Sequence, residues 1–423
     1  MTKKSHKRLH FSSAIFFVSI WFGLGWFGPV LSGYGWTDDK APNDQDNTML
    51  MFVGEDLDVL FLASRREESA WQAPAVAGVI SKSEIKKRGI TTLSQALEMT
   101  PGFYMAHKEW GTLPYLRGIA NSVLFLYDTV PLSSDITKSL HSIDHELSMA
   151  PVKRIEIIRG PGSVLWGPDA FAGIVNVVPL SGRDFQGVET GVLYGGPGDQ
   201  KAFYMNFGCD TSAWNSFLSI SGREGEEDDD NRANLVKFWD KGETVFLPGE
   251  RFGSETPGLS RYLEAAGSFA FRDWFILSGR LSDYKRPYAM SLPGENLVWL
   301  EDRDISNSFV KLEAKKKLNR TSILRFTGSY YRLLPKYRVV NRTLKLREET
   351  GFGEMIYDRS FMAGRGLFTC GLSYREKSVK DAPLWGTYYL PDYLGPENKN
   401  FYVWTKGEDY RRSLFSIFGQ YNY

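Results

Sequence analysis

Only two cysteines, Cys209 and Cys370, occur in 423 residues, which excludes a disulfide-stapled scaffold and a cysteine-based zinc site. A formal net charge of +1 and a pI near 7.7 exclude a polycation built for nucleic acid. Beyond about Val30 no apolar stretch is long enough to cross a bilayer as a helix, so any further crossing has to use strands. No Gly-Lys-Ser/Thr phosphate loop, nucleophile elbow or His-paired nucleophile stands in the chain, so nothing points to an enzyme or to a tightly bound cofactor. Glycine is plentiful at 41 residues and aromatics reach 14%, while mean hydropathy is −0.30. That mixture suits β-structure with one wet and one greasy face.

The most informative stretch runs from Pro151 to Val178. Ile155, Ile157 and Ile158 form one β-branched run, and Ile174, Val175, Val177 and Val178 form another. Between them lie Gly160, Pro161, Gly162, Gly167, Pro168 and Gly173, the composition of a backbone that turns and packs closely. Upstream, the passage Ser81 to Pro101 reads as a small helix. Leu93, Ala96 and Leu97 share a face, Thr91, Thr92 or Ser94 caps the start, and Pro101-Gly102 ends it. Leu116-Arg117-Gly118-Ile119 and Val123-Leu124-Phe125-Leu126-Tyr127-Asp128-Thr129-Val130-Pro131 add a turn and a buried strand with its corner.

Taken in order, these motifs resemble the plug domain of TonB-dependent outer-membrane receptors. The matching positions are Pro101, Gly102, Arg117, Gly118, Asp128, Glu156, Arg159, Gly160, Pro161, Gly167, Gly173 and Asn176, with Thr129 and Ala172 standing where glycine is usual. The resemblance implies an α+β plug followed by an antiparallel transmembrane β-barrel. It divides the chain into a signal peptide at 1–35, a periplasmic tether at 36–64, the plug at 65–182 and barrel strands at 183–423. Lys3, Lys4, Lys7 and Arg8 before an apolar run fit the leader, with a single spanning helix as the alternative reading. Asp56, Leu57, Asp58, Val59, Leu60, Phe61 and Leu62 resemble the TonB box, a segment that adds as a strand to the periplasmic TonB protein; an ordinary buried strand is the alternative.

After Val178, ten-residue segments alternate in character: Gly187 to Gly195, Ala202 to Cys209, Trp214 to Gly222, Arg261 to Ala270, Trp274 to Ser282, Ser306 to Lys316, Thr321 to Arg332, Leu367 to Arg375 and Arg412 to Tyr423. Short turns and long polar excursions, such as Arg223 to Ser260 and Asp283 to Ile305, separate them, as in an outer-membrane barrel. There is room for about 10 to 12 strands, whereas plugged transporters have about 22. Strands about 4.8 Å apart and tilted about 40° give a diameter near 24 Å for the smaller barrel, too narrow for a plug about 35 Å across. The expectation is therefore a fragment or truncated product: an open sheet forming about half of a 22-stranded wall.

By the same resemblance the work is TonB-driven uptake of an iron chelate (siderophore or haem) or cobalamin across the cell outer membrane, with lipid and lipopolysaccharide as surroundings. A truncated remnant that does not transport and a ligand receptor with a signalling role are the alternatives. Tyr104, His107, Trp110 and Tyr115 follow the Pro101-Gly102 corner and are candidates for touching the chelate. Arg117 and Arg159 are expected to pair with wall carboxylates, Glu264 and Glu313 being the candidates. Glu226, Asp228 and Asp230 lie in an acidic run whose oxygens suit Ca²⁺ in an outer loop. His141 and His145 would share a face and could hold a metal if 139–147 were helical, with Asp144 and Glu146 close by.

Overall fold

The computed structural model describes residues 76–422 apart from 109–110, 133, 135–142, 145, 161–165, 167, 196–198, 227–244, 248–258, 273, 292–296, 340–341, 362–365, 382, 389–400 and 407–408. The plug begins with strand β1 (Val76–Ser81), helix α1 (Lys82–Lys87) and helix α2 (Leu93–Glu98). The single helix expected over this passage is two. Ser81 and Thr92 each close a capping box, with Glu84 and Gln95 respectively, and Gly89 at φ +63° carries the chain out of the first helix. Leu93, Ala96 and Leu97 are buried, as their spacing requires.

Then come β2 (Phe103–Lys108), β3 (Gly111–Leu116), β4 (Ile119–Ala120), β5 (Val123–Tyr127), β6 (Val130–Pro131), β7 (Val152–Arg159) and β8 (Gly173–Pro179). One sheet has the order β1-β7-β8-β5-β6, and β2-β3-β4 form a second. The tight corners are set by residues in left-handed conformation. Arg117 (φ +52°) and Gly118 (φ +79°) turn β3 into β4, and Asp128 (φ +49°) and Thr129 (φ +66°) turn β5 into β6. Two consecutive positive-φ residues make the hairpin turn that matches strand twist. At Gly173 an added Cβ would lie 2.5 Å from Leu116 Cδ2 and 2.6 Å from the Ile158 carbonyl, so strand packing requires glycine there.

The second body is one large antiparallel wall. After the plug come β9 (Gly187–Tyr194), β10 (Lys201–Asp210), β11 (Trp214–Glu226), β12 (Val245–Leu247), β13 (Leu259–Phe271), β14 (Phe275–Ser291), β15 (Leu297–Lys317), β16 (Ser322–Val339), β17 (Arg342–Lys345), β18 (Arg347–Phe361), β19 (Gly366–Lys380), β20 (Pro383–Tyr388), β21 (Phe401–Lys406) and β22 (Tyr410–Asn422), of which β20 and β21 pair with each other in a separate two-stranded sheet and β12 joins β15 in parallel. The wall's main path is β9-β10-β11-β13-β14-β15-β16-β18-β19-β22, with β12 and β17 as side pairings. Among the described residues β9 and β22 are its two edges, so this sheet is open.

Two expectations change. Asp283 to Ile305 is not one polar excursion: β14 and β15 continue through most of it, paired from Asp283↔Ser306 up to Ser291↔Val298. β18 was not expected as a strand, because Gly351, Gly353 and three glutamates erase its alternation.

Candidate functional site

Inward positions of the wall alternate with outward ones, and the inward set meets the plug. Tyr262, Ala266, Tyr284, Ile305, Phe309, Tyr331 and Leu333 join the plug's apolar core of Leu93, Leu97, Phe125, Ile155 and Val175 in a single cluster. Apolar contact holds the two bodies together; polar contact fixes their register.

One polar contact is the β5–β6 corner. Lys311 of β15 reaches the Asp128 carboxylate at 2.7 Å and the Asp128 carbonyl at 2.8 Å, while Ser278 of β14 donates to Asp128 at 2.6 Å. Burial pushes the Asp128 carboxyl above the usual range; the Lys311 charge opposes this without cancelling it. Behind the corner, the Thr129 amide donates to Asn176 Oδ1 at 3.0 Å. Asn176 Nδ2 in turn donates to the fully buried Glu156 at 3.2 Å, which Arg154 pairs at 2.7 Å. Asp128, Glu156 and Asn176, scattered in the sequence, thus form one relay from the plug sheet to the wall. An open cleft beside it is lined by Thr129, Pro131 and Trp166 from the plug and Lys311, Glu354 and Lys377 from the wall.

The other contact was not legible in the sequence. Asp144 and Glu146 each lie 3.0 Å from Arg286, and Glu146 lies 3.5 Å from Arg303. Arg280 donates to the Glu146 carbonyl at 3.2 Å and sits 5.1 Å from the Tyr127 ring centroid. Burial alone would raise the Asp144 carboxyl; the Arg286 charge and hydrogen bonds from Ser94, Arg286 and Thr112 outweigh it and hold the pKa at about 2. The described part of 143–147 is not helical, and its carboxylates reach the wall arginines. His141 and His145 lie outside the described residues. The clue available in the sequence was charge at inward-parity strand positions: Arg280, Arg303 and Lys311.

The expected pairing of plug arginines with wall glutamates is reversed. Arg117 donates to the Arg159 carbonyl at 3.2 Å, and Arg159 donates to the Pro101 carbonyl at 3.1 Å. Glu264 is taken by Arg280 of the wall at 2.7 Å, and by Tyr262; Glu313 is taken by Lys311 at 2.9 Å. A carboxylate buried beside a neighbouring-strand arginine is already compensated and needs no plug cation.

At the end of the wall that bears the short turns, Lys86 pairs with Glu189 of β9 at 2.8 Å, and Lys153 with Asp184 at 2.5 Å. Tyr104 is 67% exposed and lies 6.1 Å, centroid to centroid, from half-buried Tyr115 across the β2–β3 pair. The backbone of His107 pairs with Thr112 on the same hairpin. Trp110, Pro161, Gly167, Asp228, Asp230 and the segment 56–62 fall outside the described residues, as does the side chain of Glu226.

The family described as TonB-dependent Receptor Plug Domain matches residues 69–174. The vitamin B12 transporter BtuB of Vibrio vulnificus (strain CMCP6) is 30% identical over 356 residues, 81% of this chain and 53% of that protein. The chain belongs to the TonB-dependent receptors. Solved members share the fold. A mutant of the ferric enterobactin receptor PfeA from Pseudomonas aeruginosa superposes with a TM-score of 0.58 at 15% identity, over 83% of this receptor chain and 55% of PfeA. The siderophore receptor PiuA from Acinetobacter baumannii gives 0.56 at 13% identity, over 82% and 62%. This receptor chain therefore spans about half the length of the relatives it matches. Those relatives are named as transporters and receptors.

Proposed function

We propose that this chain carries the plug and part of the wall of an outer-membrane importer that takes up a metal chelate, cobalamin or a ferric siderophore, under the pull of TonB. The observation carrying this reading is the seam. A separate small domain rests on the inner face of a membrane-type sheet, registered by ion pairs that a force on the tether can exchange for water. In the proposal the leader at 1–35 is removed, residues 56–62 add to TonB as a strand, and the chelate is met by Tyr104, Tyr115, His107 and Trp110. Ca²⁺ at Glu226, Asp228 and Asp230 would order an outer loop.

The test is uptake of labelled cobalamin and of labelled ferric siderophores by cells with the complete locus deleted, then complemented with the locus carrying either the native sequence or Leu60→Pro. Loss of one chelate's uptake, restored by the native sequence and not by Leu60→Pro, is expected. Unchanged uptake of every chelate after deletion rejects the reading.

A further inference from the structure

The Asp128 corner carries more than register demands. Lys311 is 3% exposed, yet its ammonium meets two carboxylates, Asp128 at 2.7 Å and Glu313 at 2.9 Å. Glu313 follows Lys311 by two positions on β15 and so shares its face, whereas Asp128 arrives from the plug at the end of β5. Ser278 holds the second Asp128 oxygen at 2.6 Å. Tyr127, next to Asp128, and Phe309, two positions before Lys311, are buried with ring centroids 6.0 Å apart, so aromatics flank the trio. A lysine placed here for charge alone needs one acid. The second acid stands within proton-transfer reach of the same nitrogen.

Asp128 Oδ1 lies 2.7 Å from Nζ and the carboxyl carbon one C–O bond beyond, so nitrogen and carbon are within about 3.9 Å. Reacting atoms held about 3–3.5 Å apart gain most of the advantage of an intramolecular reaction, and a small rotation of the lysine closes the difference. We propose that Lys311 and Asp128 join in an isopeptide bond, with Glu313 as the proton carrier. The Nζ–Cγ bond forms and the Cγ–Oδ1 bond breaks. Glu313 passes two protons in turn from Nζ to the departing oxygen, which leaves as water, and nothing is oxidised or reduced. The amide is neutral, so two charges vanish from a site where their desolvation is costly. The ion pair is the reactant state. Once closed, this corner is the fixed point of the seam, and exchange under force falls to Asp144 and Glu146. The inference rests on the geometry of the seam and not on transport.

The test is mass spectrometry of tryptic peptides from the full chain, purified from outer membranes at intervals after a pulse of synthesis. A branched peptide is expected that joins 118–138 to 304–315, uncut after Lys311 and lighter by one water than its two parts. Lys311→Arg, which keeps the cation, should abolish it. Glu313→Gln should slow its formation on the order of a hundredfold, in material whose plug resists protease as the native plug does. Native protein that yields only separate peptides cut after Lys311, or a Glu313→Gln chain that forms the branched peptide as fast as the native one, would overturn the proposal. The readout is a covalent bond, so a failure here leaves the uptake result standing, and the reverse holds too.

Discussion

In the plug, β5 is buried at every position from Val123 to Tyr127; in the wall, β13 buries Tyr262, Glu264 and Ala266 while Leu263 between them is 45% exposed. Both are strands, yet one is covered on two faces and the other on one. The plug strand therefore has no place for charge except at its Asp128 corner. The wall strand can carry charge on its plug-facing side, provided that a neighbouring strand or the plug compensates it. The consequence is a division of labour: apolar packing holds the plug's own fold, and ion pairs choose how the plug sits on the wall.

The largest expected effect breaks compensation inside the wall. Arg280→Ala leaves Glu264 buried without its cation and should cost about 3–5 kcal/mol in urea unfolding from micelles. Arg280→Met with Glu264→Gln should recover most of that loss, since it removes both charges. A milder effect belongs to Asp144. Its folded pKa, about 2, lies below the ordinary aspartate value of 3.8, so its contribution is fully present above pH ~4 and is lost as pH falls toward ~2, amounting to about 2 kcal/mol. Asp144→Asn should flatten plug stability across that window, monitored by protease protection of the plug. Asp128, whose carboxyl is raised, works in the opposite sense: its contribution is lost as pH rises through its folded value.

Smaller still is the corner itself. Thr129, a β-branched residue at φ +66°, is strained, so Thr129→Gly should stabilise the plug by about 1 kcal/mol in thermal unfolding. A loss would mean that the Lys311 contact to its hydroxyl, 3.4 Å away, outweighs the strain. Least of all, Arg117→Ala removes an exposed side chain bonded only to a plug carbonyl and should change stability by less than about 0.5 kcal/mol. A cost of several kcal/mol would restore the idea of a plug arginine anchored in the wall.

The same contrast explains what could be read from the sequence. Plug corners are local, so Arg117-Gly118 and Asp128-Thr129 announce themselves, and Glu156 and Asn176 lie directly across from each other on neighbouring strands. Wall strands are legible wherever alternation survives, and β18 escapes because glycines occupy its outward positions. The seam is another matter. Asp144 and Arg286 are 142 positions apart, and only the three-dimensional pairing of inward parity with the plug surface brings them together.

The central claim is that the Asp128 corner rests against β14 in the assembled protein. Ser278→Cys with Asp128→Cys, in a chain carrying Cys209→Ser and Cys370→Ser, tests it by disulfide formation in isolated outer membranes. Ser278 Oγ lies 2.6 Å from the Asp128 carboxylate, which brings the two side chains within cross-linking reach, so cross-linking well above that of Ser278→Cys with Ser83→Cys is expected. Cross-linking no greater than that control would contradict the account.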